Sequence, residues 1–180
     1  YNASANQYYN NFTSLASGTH TFIGYAVDAV ANKNQTEQRT VTIDSTSPKV
    51  NLIAPSNGTT ITMANVSFNA TFSDNNALSN ATFYLWNSTG SAVNTTTSSL
   101  SGTSGSINLS VTLPYAGTFK WNYLATDSVS NSAFNNTNFT IIYNSDSTPP
   151  IVTINFPANN GFYNSLPLNF NVSLNEAGSW

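Results

Sequence analysis

Val66, Phe68, Ala70 and Phe72 alternate along the chain with Asn65, Ser67, Asn69 and Thr71. Successive side chains of an extended strand point to opposite faces, so this spacing predicts a strand with one face in a core and the other in water. The same period returns in Ala81, Phe83 and Leu85, in Ile107, Leu109, Val111 and Leu113, in Phe119, Trp121, Tyr123 and Ala125, and in Phe139, Ile141 and Tyr143. Residues 50–55 are expected to open this set, with Ser56-Asn57-Gly58 turning the chain. Trp86, Trp121 and Tyr123 fall on or beside the inward positions and are assigned to the core rather than to a sugar-binding face. Residues 88–106, rich in Ser, Thr and Gly, read as an irregular edge. Seven or so short strands in about 100 residues, with no helical period, predict an all-β fold, an antiparallel β-sandwich.

The pattern also repeats at long range. Residues 18–32 and 117–131 both read GT, eight residues, then D-x-V-x-N, which places Asp28 and Asp127 99 residues apart. Asp44-Ser-Thr-Ser-Pro-Lys-Val50 recurs 102 residues later as Asp146-Ser-Thr-Pro-Pro-Ile-Val152. Proline withholds a donor and suits a stiff link or a strand edge, so these are expected domain boundaries. Three parts follow: residues 1–46 as the last strands of one sandwich, 47–146 as a complete one, and 147–180 as the first strands of the next. In the tail, Pro157-Ala-Asn-Asn-Gly161 echoes Pro55-Ser-Asn-Gly58, and Asn169-Phe-Asn-Val-Ser-Leu174 echoes Ser67-Phe-Asn-Ala-Thr-Phe72. In the head, Phe22, Gly24 and Ala26 share one face of a strand and Ile23, Tyr25 and Val27 the other, so both faces are apolar.

A sandwich fragment of either terminal size leaves a bare apolar face and an unpaired edge. The expectation is that the tail of one copy and the head of another complete a single domain, joining copies head to tail. The join is either covalent, within a long repetitive polypeptide, or strand donation between subunits; free, disordered ends are the third reading. Tyr1, Phe22, Ile23 and Tyr25 of the head and Phe170, Val172, Leu174 and Trp180 of the tail are the expected junction residues. The start at Tyr1 without methionine reads as a mature piece or excerpt of something longer.

Only 6% of residues are charged and the net charge is −3. With four basic residues there is no electropositive stripe for a phosphate backbone, so no nucleic-acid partner is expected. Cysteine is absent, which excludes disulfides and thiolate sites. No apolar run approaches the roughly 18 residues of a membrane-spanning helix. Solubility rests instead on 29 Asn, 25 Ser and 24 Thr. Thirteen Asn-x-Ser/Thr sequons mark candidate N-linked glycan sites: Asn2, Asn11, Asn34, Asn57, Asn65, Asn69, Asn80, Asn87, Asn94, Asn108, Asn135, Asn138 and Asn171. Asn65, Asn69, Asn108, Asn138 and Asn171 fall on the polar positions of their strands, where a sugar stands clear of the core.

No catalytic constellation is visible. His20 is the single histidine, without a serine and carboxylate placed to form a triad. The seven acids are scattered singly along the chain, which argues against a carboxylate pair. Asp28, Asp44, Asp127 and Asp146 lie at the corners and linkers. Calcium there is the lesser reading, because a hard cation wants six to eight oxygens; an Asx-turn at each corner is the expected one.

The GT dipeptide, the alternating strand, the D-x-x-x-N corner and the D-x-T-x-P linker follow one another twice. In this order they resemble the tandem immunoglobulin-like domains of prokaryotic, especially archaeal, surface proteins. The resemblance covers the whole chain. The chain departs from the family's D-x-x-G-N corner by carrying Ala31 or Ser130 before the asparagine. The resemblance implies a non-enzymatic building block of an extracellular, glycosylated filament, surface layer or adhesin stalk, with copies of itself as partners. The alternative it implies is an adhesion module that binds surface carbohydrate or a partner cell surface.

Overall fold

Residues 8–176 are described by a computed structural model, in which all regular structure is β-strand. Tyr1, Asn2 and Trp180 lie outside the described residues. The chain divides into two units, residues 1–144 and 145–180.

The head of the first unit carries β1 (Gly18–Phe22), β2 (Tyr25–Val27), β3 (Lys33–Gln35) and β4 (Arg39–Ile43). β1 pairs antiparallel with β4, and β2 with β3. The strand expected to run through residues 22–27 breaks at Ile23 and Gly24. Thr36 clamps the break: its hydroxyl accepts from Gly24 N at 3.0 Å, and its own N–H donates to the Gly24 carbonyl at 2.9 Å.

Nine strands follow in the same unit: β5 (Lys49–Ala54), β6 (Thr59–Ile61), β7 (Asn65–Ser73), β8 (Leu78–Asn87), β9 (Ala92–Ser99), β10 (Ser104–Thr112), β11 (Gly117–Asp127), β12 (Ser132–Phe134) and β13 (Phe139–Tyr143). One sheet runs β10-β7-β5, the other β6-β13-β11-β8-β9 with β12 also on β11. Every pairing is antiparallel except β6 with β13. The inward residues of the two sheets meet ring to ring. Phe68 of β7 lies 4.8 Å from Phe83 of β8 and 5.1 Å from Trp121 of β11, and Phe72 lies 5.5 Å from Tyr123. Such tilted and edge-on pairs contribute about 0.5–1.5 kcal/mol each beyond area burial. The Tyr123 hydroxyl donates across to the Phe68 carbonyl at 3.2 Å, so the polar end of a buried ring is satisfied by the facing sheet. The result is a β-sandwich-like body whose core is built from the alternating positions of β5, β7, β8 and β11 together with Val111, Leu113 and Ile141.

One expectation is sharpened and one corrected. Residues 88–106 do include a sheet edge, and it is the strand β9, paired with β8 from Asn80 to Trp86 with a register shift between Leu85 and Trp86, followed by the start of β10. The alternation of β9 is hidden because its half-buried side is carried by Asn94, Thr96 and Ser98, with Val93 as the apolar residue packed against the core; on the other face Thr97 bonds Thr82 hydroxyl to hydroxyl at 2.9 Å. Trp86 is not a core residue. Ala81, Phe83 and Leu85 point inward, so Trp86 stands on the opposite parity, on the outer face, stacked on Tyr84 at 5.4 Å and beside Phe134. Trp121 and Tyr123 are fully buried as expected.

The second unit carries β14 (Val152–Phe156) and β15 (Asn171–Leu174), paired antiparallel with an irregularity between Ile154 and Phe156.

Candidate functional site: the repeated aspartate corner

At the end of β11 the Asp127 side chain folds back over its own turn. Its Oδ1 accepts from Val129 N and Asn131 N, both at 2.9 Å, and its Oδ2 accepts from Asn131 Nδ2 at 2.8 Å. Ser130 is held at φ 76° so that the backbone can close the turn. The corner at Asp28 is a copy: Oδ1 accepts from Val30 N at 3.0 Å and Asn32 N at 2.8 Å, Oδ2 accepts from Asn32 Nδ2 at 2.8 Å, and Ala31 sits at φ 70°. Both are Asx-turns in which the aspartate satisfies donors that the reversing backbone leaves free. The bonds from the Asn32 side chain and backbone hold the Asp28 carboxyl below the usual range.

The two corners differ in what surrounds them. Asp28 is exposed, whereas Asp127 is buried and carries two further aspartates beside it. Asp44, on the segment joining β4 to β5, and Asp74, at the end of β7, each bring a carboxylate oxygen into a cluster with Asp127 in which all three lie within 4.8 Å of one another. Asn131 ties the linker to this corner by donating to the Asp44 carbonyl at 3.2 Å, and Asn75 donates to Asp44 Oδ1, also at 3.2 Å. The Thr46 N–H is the first cause holding the Asp44 carboxyl below its usual range. Of the four acids considered from sequence, the fold gathers Asp44 and Asp127. Asp28 forms its own corner, and Asp146 accepts from Thr148 N at 2.9 Å in the second unit. Asp74 was missed, because 30 residues separate it from Asp44 and only the fold brings them together.

The repeats extend to hydrogen-bond register. Tyr25, Ala26 and Val27 pair with Gln35, Asn34 and Lys33; 99 residues on, Leu124, Ala125 and Thr126 pair with Phe134, Ala133 and Ser132. Val152, Thr153 and Ile154 pair with Leu174, Ser173 and Val172; 102 residues earlier, Val50, Asn51 and Leu52 pair with Phe72, Thr71 and Ala70, and both ladders slip at the next step. Burial, by contrast, is inverted. Phe68, Leu52 and Trp121 are 0%, 5% and 0% exposed, whereas their repeat counterparts Phe170, Ile154 and Phe22 are 77%, 67% and 52% exposed. Phe22 and Ile23, with Phe12, Leu15 and Val41, line an open apolar hollow of about 760 Å³ on the head. Tyr25, Val172 and Leu174 are exposed or half-buried.

The sequons divide by environment. Asn11, Asn34, Asn57, Asn65, Asn108, Asn138 and Asn171 are exposed, and Asn69, Asn80, Asn87, Asn94 and Asn135 half-buried. Asn135 alone among these donates its side-chain nitrogen deep into the fold, to the Val50 carbonyl at 2.8 Å. His20 Nε2 lies 2.8 Å from the Ala16 carbonyl. No family model and no curated protein matches the chain. Among the described residues no helix is long and apolar enough to cross a membrane.

Proposed function

We propose that the chain is a structural building block of an extracellular glycosylated filament, surface layer or adhesin stalk, made of tandem immunoglobulin-like domains that continue from copy to copy. The observation that carries this reading is the inversion of burial at repeat positions. Head and tail reproduce the β11–β13, β11–β12 and β5–β7 pairings, yet the side chains at the positions that match the core stand in water. Apolar surface of this kind is stabilised when a complementary half covers it, at about 25 cal/mol per Å² removed from water. The head supplies counterparts of β11, β12 and β13, and the tail counterparts of β5 and β7. Among the described residues neither carries a strand matching β6, β8, β9 or β10, so in this reading the completed domain takes those strands from an adjoining repeat. The role is then mechanical: proline-containing linkers set the angle between domains, and the uncharged or glycosylated faces keep rods apart.

Electron microscopy of the native material tests this. A continuous filament or lattice is expected; dispersed single particles with free ends would overturn it. A second reading, an adhesion module for carbohydrate, rests on the outward Tyr84, Trp86 and exposed Phe134. It predicts a change of Trp86 fluorescence on adding surface oligosaccharides, absent in Trp86→Phe.

A further inference from the structure

We propose that Asp44, Asp74 and Asp127 together hold one calcium ion, which ties the segment between β4 and β5 to the ends of β7 and β11. This inference does not rest on the filament reading, because all three residues lie in one unit.

Three carboxylate oxygens within 4.8 Å of one another repel unless a positive charge stands among them. Among the described residues the one ion pair is Arg39 with Glu37, so no side-chain cation answers the cluster. Lys49 lines the same cavity as Asp74 without coming within ion-pair distance of it. Two of these aspartates moreover carry an orphaned oxygen. Asp44 Oδ2 and Asp74 Oδ2 are shut off from solvent and accept no hydrogen bond, although the partner oxygen of each carboxylate is bonded, to Thr46 N and Asn76 N respectively. A buried carboxylate oxygen without a donor is costly, and two of them belong to residues that share one cluster with a third, fully buried carboxylate, a set of acceptors that one positive centre would satisfy.

A hard cation removes all of these costs at once. Calcium takes six to eight oxygens at about 2.3–2.6 Å in flexible geometry, a span that oxygens at this separation can share. Asp127 Oδ2, bonded only by Asn131 Nδ2, keeps a lone pair for it. The adjoining cavity of about 250 Å³, lined by Thr46, Ser47, Ser73 and Asn75, has room for waters to complete the shell. Magnesium demands a tighter octahedron and suits three carboxylates at this separation less well.

The repeat gives independent support. Seven acids occur in 180 residues, and Glu37 is occupied by Arg39. The other six fall at three repeated positions: Asp44 with Asp146 and Asp74 with Glu176, each pair 102 residues apart, and Asp28 with Asp127, 99 apart. Acids placed for solubility alone have no reason to recur in this way. Glu176 Oε1, at the position of Asp74, is likewise buried without a partner.

The test is calorimetric titration of calcium chloride into the full chain stripped with EDTA, with thermal unfolding in parallel. Binding near one ion per described cluster is expected, with a midpoint raised by roughly 5–10 °C at a hundredfold excess over the dissociation constant and restored by EDTA. Asp74→Asn keeps the side-chain size and the acceptor for Asn76 N and is expected to lose the calcium response; Asp44→Asn serves if that variant does not fold. Glu37→Gln, outside the cluster, is expected to keep it. No heat and no midpoint shift at 10 mM calcium, a shift reproduced by sodium chloride of equal ionic strength, or an equal shift in the folded Asp74→Asn or Asp44→Asn variant would overturn the proposal.

Discussion

Ser130 and Ala31 hold left-handed backbone at φ 76° and 70°, a conformation that costs a residue with a Cβ about 1–2 kcal/mol. Glycine adopts it freely but loses more freedom on folding, about 0.4–1 kcal/mol. Ser130→Gly is therefore expected to stabilise the β-sandwich-like body by about 0.5–1 kcal/mol, read as a higher urea midpoint at unchanged slope. Tyr123 makes a contrasting case. Burial raises its phenol above the usual value near 10. A raised value in the folded state means that its contribution is fully present below about pH 10 and is lost as pH climbs through the folded value. The wild type should thus lose stability above about pH 10, and Tyr123→Phe should lose less of it there. At neutral pH the same variant is expected to be about 1 kcal/mol less stable, for the missing bond to Phe68.

Among the elements, those that bury one face were legible. β7 and β11 announce themselves through Phe68, Phe72, Trp121 and Tyr123, because a strand between water and a core must alternate. β9 was legible only as an edge, since its half-buried side is carried by Asn94, Thr96 and Ser98 and shows no apolar stripe. Trp86 misled for a related reason: a large aromatic beside the inward set was read as core, although one step along a strand reverses the face. The corner's Asx-turn was readable from four-residue spacing, whereas Asp74 joins it only through the ends of two sheets; the sole sequence-level signal was the acid 102 residues later. The sequon pattern is similarly refined by the pairing. Asn135 lies just after β12 and its Nδ2 bonds the Val50 carbonyl, so a glycan there costs that bond. Peptide mapping of native protein should find Asn135 unmodified, and Asn108, exposed on the edge strand β10, is the better candidate. A glycan found on Asn135 in folded protein would show that this bond is dispensable.

Across the whole molecule, the same residue type at the same repeat position meets opposite environments, and that contrast can be measured. Phe68 packs against Phe83 and Trp121 with no exposure, so Phe68→Ala leaves a cavity as well as losing transfer free energy, an expected cost of about 3–5 kcal/mol. Phe170 occupies the matching place in the tail and is 77% exposed, so Phe170→Ala in the isolated chain removes little that is buried and should change stability by less than about 0.5 kcal/mol. If successive copies complete a domain, the two costs converge in assembled material, because Phe170 then acquires the surroundings that Phe68 already has. Urea unfolding of dispersed chains and of native assemblies, each with both variants, reads the difference directly. A Phe170→Ala cost that stays near zero in the assembled state would mean that the tail's apolar face is not the one that the next copy covers.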